Sequence, residues 1–410
     1  SVTRRACRPG EARTAMSKLT RYVLSELLKV FLVTLAGMTF LMLVVGLAQE
    51  AIRQGLGPMP IFRLIPYAIP NALRFAVPGT ILFATCSVFG RMAAANEITA
   101  IKSLGISPLA LVKPAWILAF FISLLAVWLN DLAVSWGQQG MRRVILHSVE
   151  QIAYGMLRTQ RSYSCNRFSI NVKRVDGRIL VLPTICIQSK DGSPPTVLTA
   201  QEAELKSDPE QNLLSLRLTN GRVTVGERVS MIFPDTIEPQ IPLNEASRSG
   251  DLSGSPSQCP LWRIDEEIRE QETHIHRLRQ ELATEAAYEM LTGDLASLTH
   301  ESWSGKINGV NEAVIRIHRL ETEPWRRWAN GFSCLFFVMI GAPLAIRMRN
   351  ADIWSSFAVC FLPILILYYP LLALGVDRAK VGELPPYSVW LGNVILALVG
   401  LWTMRKVLRY

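Results

Sequence analysis

Apolar residues in this chain gather into six long stretches: Val30–Ala48, Ile65–Phe89, Leu109–Leu129, Trp328–Ile346, Ile353–Leu374 and Tyr387–Met404. Each is about 20 residues long, the length a helix needs to cross about 30 Å of hydrocarbon. One such stretch could be a buried core helix; six predict a polytopic membrane protein. Between the third and fourth the pattern changes. Around residues 160–245 it alternates, with Phe168, Ile170 and Val172 on one face against Ser169, Asn171 and Lys173 on the other. Leu214, Leu216 and Leu218 repeat this against Ser215, Arg217 and Thr219. A period of two predicts half-buried strands. Asp176-Gly177, Asp191-Gly192 and Asn220-Gly221 are expected to be the turns between them. The expected product is an antiparallel sandwich or open barrel with an apolar interior.

After a Ser/Gly/Pro-rich linker at 246–260 the period becomes helical. Ile264, Ile268, Ile275, Leu278 and Leu282 form one stripe on a charged helix over about 261–291. A second helix from about 307 to 325 leads into the fourth apolar stretch. This pair reads as a hairpin packed on itself or on the β domain, with a docking site for another chain as the alternative. The expected organisation is a basic, disordered extension over 1–16, with Met16 as a plausible original start. Three membrane helices follow over 17–130, then a β domain and linker over 131–260, a helical segment over 261–325, and three more membrane helices over 326–410.

Charge fixes the expected orientation. Lys and Arg crowd the N-terminal segment, the connection after the second helix (Arg91, Lys102, Lys113), the one after the fourth (Arg347, Arg349) and the C-terminus (Arg405, Lys406, Arg409). The positive-inside rule makes these cytoplasmic and puts the middle block on the opposite side. The net charge of +10 is therefore a topology signal. Nucleic acid is not an expected partner, because no basic patch is interleaved with aromatics that could stack on bases. The first apolar helix is too long for a cleavable signal peptide.

The seven cysteines show no C-x-x-C spacing, so no zinc site is expected. A bridge between Cys165 and Cys186 and free thiols are both open. No Walker A loop, His-Glu-x-x-His or Gly-x-Ser-x-Gly occurs, and His274 and His276 do not share a helical face. No cofactor is expected, and the chain is not expected to be an enzyme. Two polar features inside or beside the membrane stand out. Arg74 lies within the second helix between Pro70 and Pro78, where an unpaired charge costs at least about 2.5 kcal/mol. It reads either as snorkelling to the outer interface or as a contact to a lipid phosphate or sugar acid, helped by Arg53 and Arg63. Residues 91–107 read as a short amphipathic helix, with Ile98, Ile101 and Leu104 on one side and Gly105 as its stop.

Glu97-Ile-Thr-Ala followed by Ser103-Leu-Gly-Ile-Ser resembles the coupling-helix motif of the lipopolysaccharide export permeases LptF and LptG. The resemblance runs from about residue 17 through Arg21-Tyr22, Glu26-Leu27, Ala200-x-Glu-Ala-x-Leu, Leu216-x-Leu-x-Asn-Gly221, His318-Arg319, Gly341-Ala-Pro-Leu and Trp390-x-x-Asn393. It implies a six-helix, 3+3 membrane bundle with an inserted periplasmic β-jellyroll-like domain, in the bacterial inner membrane with both termini cytoplasmic. It implies a paralogous permease half, an LptB-like cytoplasmic ABC ATPase dimer and LptC/LptA-like jellyroll bridge proteins as partners, with a lipid as substrate. Arg91, Glu97, Ile98, Ile101, Gly105 and Ser107 would form the ATPase-coupling element. Arg53, Arg63, Arg74, Phe168, Ile170, Val172, Leu214, Leu216 and Leu218 would line the lipid path. Lateral gates are expected on the first helix and on the fifth, which carries Pro363 and Pro370. The alternatives are an ABC permease for another lipid or a lipoprotein, and a membrane-anchored assembly scaffold. The helical segment 261–325 is longer and more charged than the family pattern.

Overall fold

The computed structural model describes residues 9–54, 58–147, 149–164, 168–187, 196–208, 213–225, 229–242, 255–293, 301–348 and 353–409. The helices are α1 (Pro9–Gln54), α2 (Pro58–Ala94), α3 (Glu97–Ser103), α4 (Pro108–Leu132), α5 (Gln139–His147), α6 (Val149–Gln160), α7 (Ile264–Thr292), α8 (Glu301–Arg347), α9 (Ile353–Pro363), α10 (Tyr369–Val381) and α11 (Leu391–Arg409). Six helical spans among them are long and apolar enough to cross a membrane: Lys18–Ile52, Pro60–Ala94, Pro108–Met141, Trp303–Arg347, Trp354–Val381 and Pro386–Arg409. Each contains, to within a residue, one of the six stretches read from the sequence.

Helix α1 begins at Pro9, inside the segment expected to be disordered. Proline is preset for the first helical turn, and the Glu-Ala-Arg-Thr-Ala that follows is rich in helix formers. The fifth span is continuous through a π-helical turn, Ile364–Tyr368. Pro370 cannot donate to the carbonyl of Ile366 and clashes with it, so the ladder widens locally there.

Two compact units emerge, one comprising 1–41, 71–134 and 256–410, the other 42–70 and 135–255. The first holds the helical core, built on Leu82, Cys86, Phe89, Leu111, Ala119, Phe337, Val338 and Cys360. Small residues let its helices approach. A Cβ on Gly331 would stand 2.8 Å from the Val127 backbone nitrogen, and one on Gly341 2.8 Å from Leu82. Asn393 Nδ2 donates to the Ala329 carbonyl at 2.9 Å and ties α11 to α8. The segment 261–325 belongs to this unit. Ile264 and Ile275 are buried on the side of α7 that meets α8. Lys306 pairs with Glu285 across the hairpin, and Trp303 Nε1 donates to Glu289 at 3.1 Å.

The second unit carries a nine-stranded antiparallel sheet in the order β1-β2-β5-β6-β4-β3, with β7 pairing β6, β8 and β9. Its strands are β1 (Ser162–Ser164), β2 (Phe168–Asn171), β3 (Arg174–Asp176), β4 (Ile179–Val181), β5 (Thr184–Ile187), β6 (Thr196–Asp208), β7 (Leu213–Val225), β8 (Val229–Ile237) and β9 (Gln240–Pro242). Asn220-Gly221 is a correction to the expected turns. It lies inside β7, where the register with β8 shifts between Thr219 and Gly221 and Asn220 adopts φ 50°. A Cβ on Gly221 would sit 2.3 Å from the Thr199 carbonyl oxygen, so glycine lets two strands touch here instead of reversing the chain. Asp176-Gly177 is the turn between β3 and β4, with Gly177 at φ 63°. Asp191-Gly192 lies outside the described residues.

Candidate functional site

Two polar regions stand out in the helical unit. The first begins with α8, whose Glu323-Pro-Trp-Arg-Arg segment precedes an apolar run. Glu323 is fully buried and Arg327 is 2% exposed. Arg326 Nη2 donates to Glu323 Oε2 at 2.6 Å, and Ser257 Oγ donates to Glu323 Oε1 at 3.1 Å. Arg327 Nη1 donates to Asp131 Oδ1 at 3.0 Å and its Nη2 to the Cys259 carbonyl at 2.6 Å, while the Leu261 N–H also donates to Asp131. The cluster fastens the end of α4, the segment 257–261 and α8 together. Burial, with the Glu267 carboxylate, pushes the neighbouring Cys259 thiol up from its ordinary range.

Beside this cluster is a cavity of about 220 Å³ lined by Arg74, Asn130, Arg326, Arg327, Asn330, Ser333, Tyr368 and Tyr369, with Phe75 and Leu372 among its apolar walls. Three guanidinium groups border it. Glu323 answers Arg326, and Asp131 with Glu323 answers Arg327. Arg74 lies 4.5 Å over the Phe75 ring and has no ion pair among the described residues. It is the uncompensated cation of a cavity otherwise rich in donors, which suits an anion with several acceptor oxygens. Twenty residues of helix separate Arg74 from Ala94, about 30 Å of rise, so it lies far along the span from the end next to α3.

The sequence singled out Arg74 but not its companions. Arg326-Arg327 carries a legible signal: two adjacent arginines at a membrane boundary on the side the charge bias leaves poor in cations. Arg53, near the end of α1, and Arg63, exposed on α2, belong to the sheet-bearing unit.

The second region surrounds α3. Asn96 precedes it at φ 58°, and Glu97 occupies its first turn. Gly105, at φ 79°, donates to the Lys102 carbonyl, and Ile106 donates back to Ile101, which stops the helix as a left-handed cap. Ser107 is extended and starts α4, its carbonyl accepting the Ala110 N–H. Ile98 is buried and Ile101 packs on the helical core, but Leu104 is 76% exposed. Leu104 departs from the expected apolar side because the helix ends at Ser103, one residue before it. Arg91 ties α2 to α1 through Glu26 Oε2 at 2.7 Å.

The residues read as a lipid path in the sheet lie as follows. Ile170, Leu216 and Leu218 are fully buried and Val172 is nearly so, in one core with Leu180, Ile185 and Leu205. Helix α6 covers this core with Ala153, Tyr154, Met156 and Leu157. Tyr154 Oη donates to the Arg178 carbonyl at 2.6 Å and accepts the Leu205 N–H at 3.0 Å, and burial raises its pKa. Phe168 and Leu214 lie on β2 and β7. Cys186 is free, and Cys165 lies outside the described residues. No group of three or more His, Cys, Asp or Glu able to hold a metal occurs among the described residues.

A search of curated proteins returned no match. A family model for the lipopolysaccharide export system permease LptF/LptG matches residues 21–406. The match covers nearly the whole chain, four of the six spans in full and the other two but for three residues each, with the sheet between them, so the chain belongs to the LptF/LptG family of lipopolysaccharide export permeases, transport proteins integral to the inner membrane.

Proposed function

We propose that this chain is one permease half of an ATP-driven exporter that extracts lipopolysaccharide, or a related glycolipid, from the inner membrane and passes it to a periplasmic jellyroll bridge. The observation that carries the reading is the Arg74 cavity: an uncompensated guanidinium, with Asn130, Asn330, Ser333 and two tyrosines, inside a membrane bundle. It suits the phosphates or sugar acids of a glycolipid headgroup. Burying each acyl methylene is worth about 0.8 kcal/mol. Exposing one chain of about twelve carbons to water therefore costs on the order of 10 kcal/mol, and the route out must be apolar throughout.

The first and fifth helices supply the lateral openings, together with the paralogous half. In support, only 6% of the most apolar window of the first span and 17% of the fifth is buried within this chain, against 61% of the second. The π turn bracketed by Pro363 and Pro370 gives the fifth helix a place to bend. Positive charge near α3 supports a cytoplasmic position for it, where an ATPase dimer would grip Glu97 and the exposed face of its helix. The sheet unit then lies in the periplasm as a jellyroll-like domain. An acyl chain passes along Ile170, Val172, Leu216 and Leu218 only if α6 and the sheet part, because these side chains are packed together.

The test is co-purification of the chain with its partner permease and ATPase, followed by mass spectrometry of the bound lipid. A glycolipid retained by the unaltered complex and lost from Arg74→Gln supports the reading. A complex with no ATPase, or lipid retention indifferent to Arg74, overturns it.

A further inference from the structure

The second polar region contains a cavity that the transport reading does not use. It measures about 460 Å³ and is lined by Ala93, Ile98, Thr99, Lys102, Ile346, Arg347, Lys406 and Val407. Its cations come from three elements. Lys102 stands in the last turn of α3, Arg347 ends α8, and Lys406 is in the last turn of α11. A basic residue near a helix C-terminus offsets that helix's own dipole, which accounts for each cation singly. It does not account for three of them meeting at one cavity with no carboxylate in its lining.

Their own partners leave most of that charge unanswered. Lys102 Nζ donates to the Val407 carbonyl at 3.1 Å, a neutral acceptor. Lys406 Nζ lies 3.7 Å over the Trp402 ring. Among the described residues neither Arg347 nor Lys406 has an ion pair. The rest of the lining is largely apolar, with Ala93, Ile98, Ile346 and Val407. The α8 and α11 spans both end here, and Trp402 is exposed beside Lys406, as an aromatic anchor at the headgroup level would be.

We infer that this cavity binds the headgroup of an anionic glycerophospholipid of the surrounding leaflet, with its phosphate among Lys102, Arg347 and Lys406 and the start of its acyl chains against the apolar lining. Basic pockets between membrane helices at this depth hold such headgroups by charge and shape together. The inference rests on the reading that α3 faces the cytoplasm. Because Ile98, Thr99 and Lys102 of α3 form one wall, the lipid braces the helix on which the ATPase docks. Coupled hydrolysis then depends on anionic lipid as well as on the transported substrate.

The experiment uses the complete complex, reconstituted in nanodiscs of phosphatidylcholine alone or with phosphatidylglycerol, and compares it with Arg347→Gln, Lys406→Gln and the double variant. Native mass spectrometry counts retained phosphatidylglycerol, and the same spectra report whether the ATPase is present. The expected result is retention that falls about fivefold for each cation removed. The ATPase stays bound in every variant, and millimolar inorganic phosphate fails to displace the lipid. Equal retention in the unaltered complex and the double variant overturns the proposal. Displacement by inorganic phosphate makes the site one for a free anion and also overturns it. Loss of the ATPase with lipid retention unchanged makes the cations a protein contact, which overturns it as well. An unaltered complex that carries no ATPase contradicts the transport reading instead, so the two failures are separate. Each single variant removes one exposed or half-exposed charge, so at least one is expected to fold as the unaltered chain does.

Discussion

The second and fourth membrane spans and the first and fifth are all apolar and long enough to cross a membrane, but they differ in how much of them this chain covers. Within this chain 61% of the most apolar window of each inner span is buried, against 6% and 17% for the outer two. The inner helices hold the polar chemistry: Glu323 and Arg327 in a closed network, Arg74 on a cavity, glycines at close crossings. The outer helices present Val33, Phe40, Leu362 and Ile366, each more than half exposed. Apolar faces of this kind are at ease in lipid and equally at ease against another helix. Under the proposed function, the difference separates a scaffold packed within this chain from two helices left for lipid or a partner to cover.

The largest expected effect comes from breaking the inner network. Arg327→Met leaves Asp131 without its guanidinium and buried Glu323 with Arg326 and the Ser257 hydroxyl. Removing one partner from a buried pair costs about 3–5 kcal/mol, which would appear as a large drop in the unfolding midpoint in detergent. An unchanged midpoint would mean that the network is not what fastens α4 to α8. Gly331→Leu comes next. The added side chain must displace Val127 and its backbone, an overpacking cost of about 1–3 kcal/mol. On the outer side, Val33→Ser should move the chain's own midpoint by less than about 0.5 kcal/mol, yet weaken co-purification of the partner permease. A stability loss as large as that of Gly331→Leu would erase the distinction between the two pairs.

Two further substitutions separate function from stability. Arg74→Gln removes a charge with no ion pair, so folding should be unharmed, whereas retention of an anionic glycolipid falls about tenfold or more. Gly105→Ala puts a side chain at φ 79°, at a cost of about 1 kcal/mol. It should fray the end of α3 and lower ATP hydrolysis by the complex while leaving membrane insertion intact, which protease protection would report.

How far the sequence carried the picture depended on the range of the interaction. The membrane spans were legible because length and apolarity are properties of contiguous residues. The sheet interior was legible because alternation is too, and Ile170, Val172, Leu216 and Leu218 are indeed buried together. The short helix and its glycine stop were local features as well, although the helix read over 91–107 occupies only Glu97–Ser103, because α2 runs on to Ala94. The cavity was not legible as a whole, since Arg74, Asn130, Arg326 and Tyr368 come from four spans and nothing local announces their meeting. Asn220-Gly221 misled for the opposite reason. The dipeptide does favour positive φ, and Asn220 adopts it, but the approach of Thr199 and Phe233 makes it a bulge within β7. Leu104 failed by one residue, which is all it takes to leave a seven-residue helix.

The central claim is that the outer helices are the gate, and single-cysteine variants of Val33 and Ile366 test it most directly when each is crosslinked to the partner permease in the assembled complex. Residues 33 and 366 should each crosslink to the partner, ATP-driven release of lipid should stop, and reduction of the crosslink should restore it. Crosslinked complexes that release lipid as fast as reduced ones would contradict the account and leave these two helices as a passive lipid-facing surface.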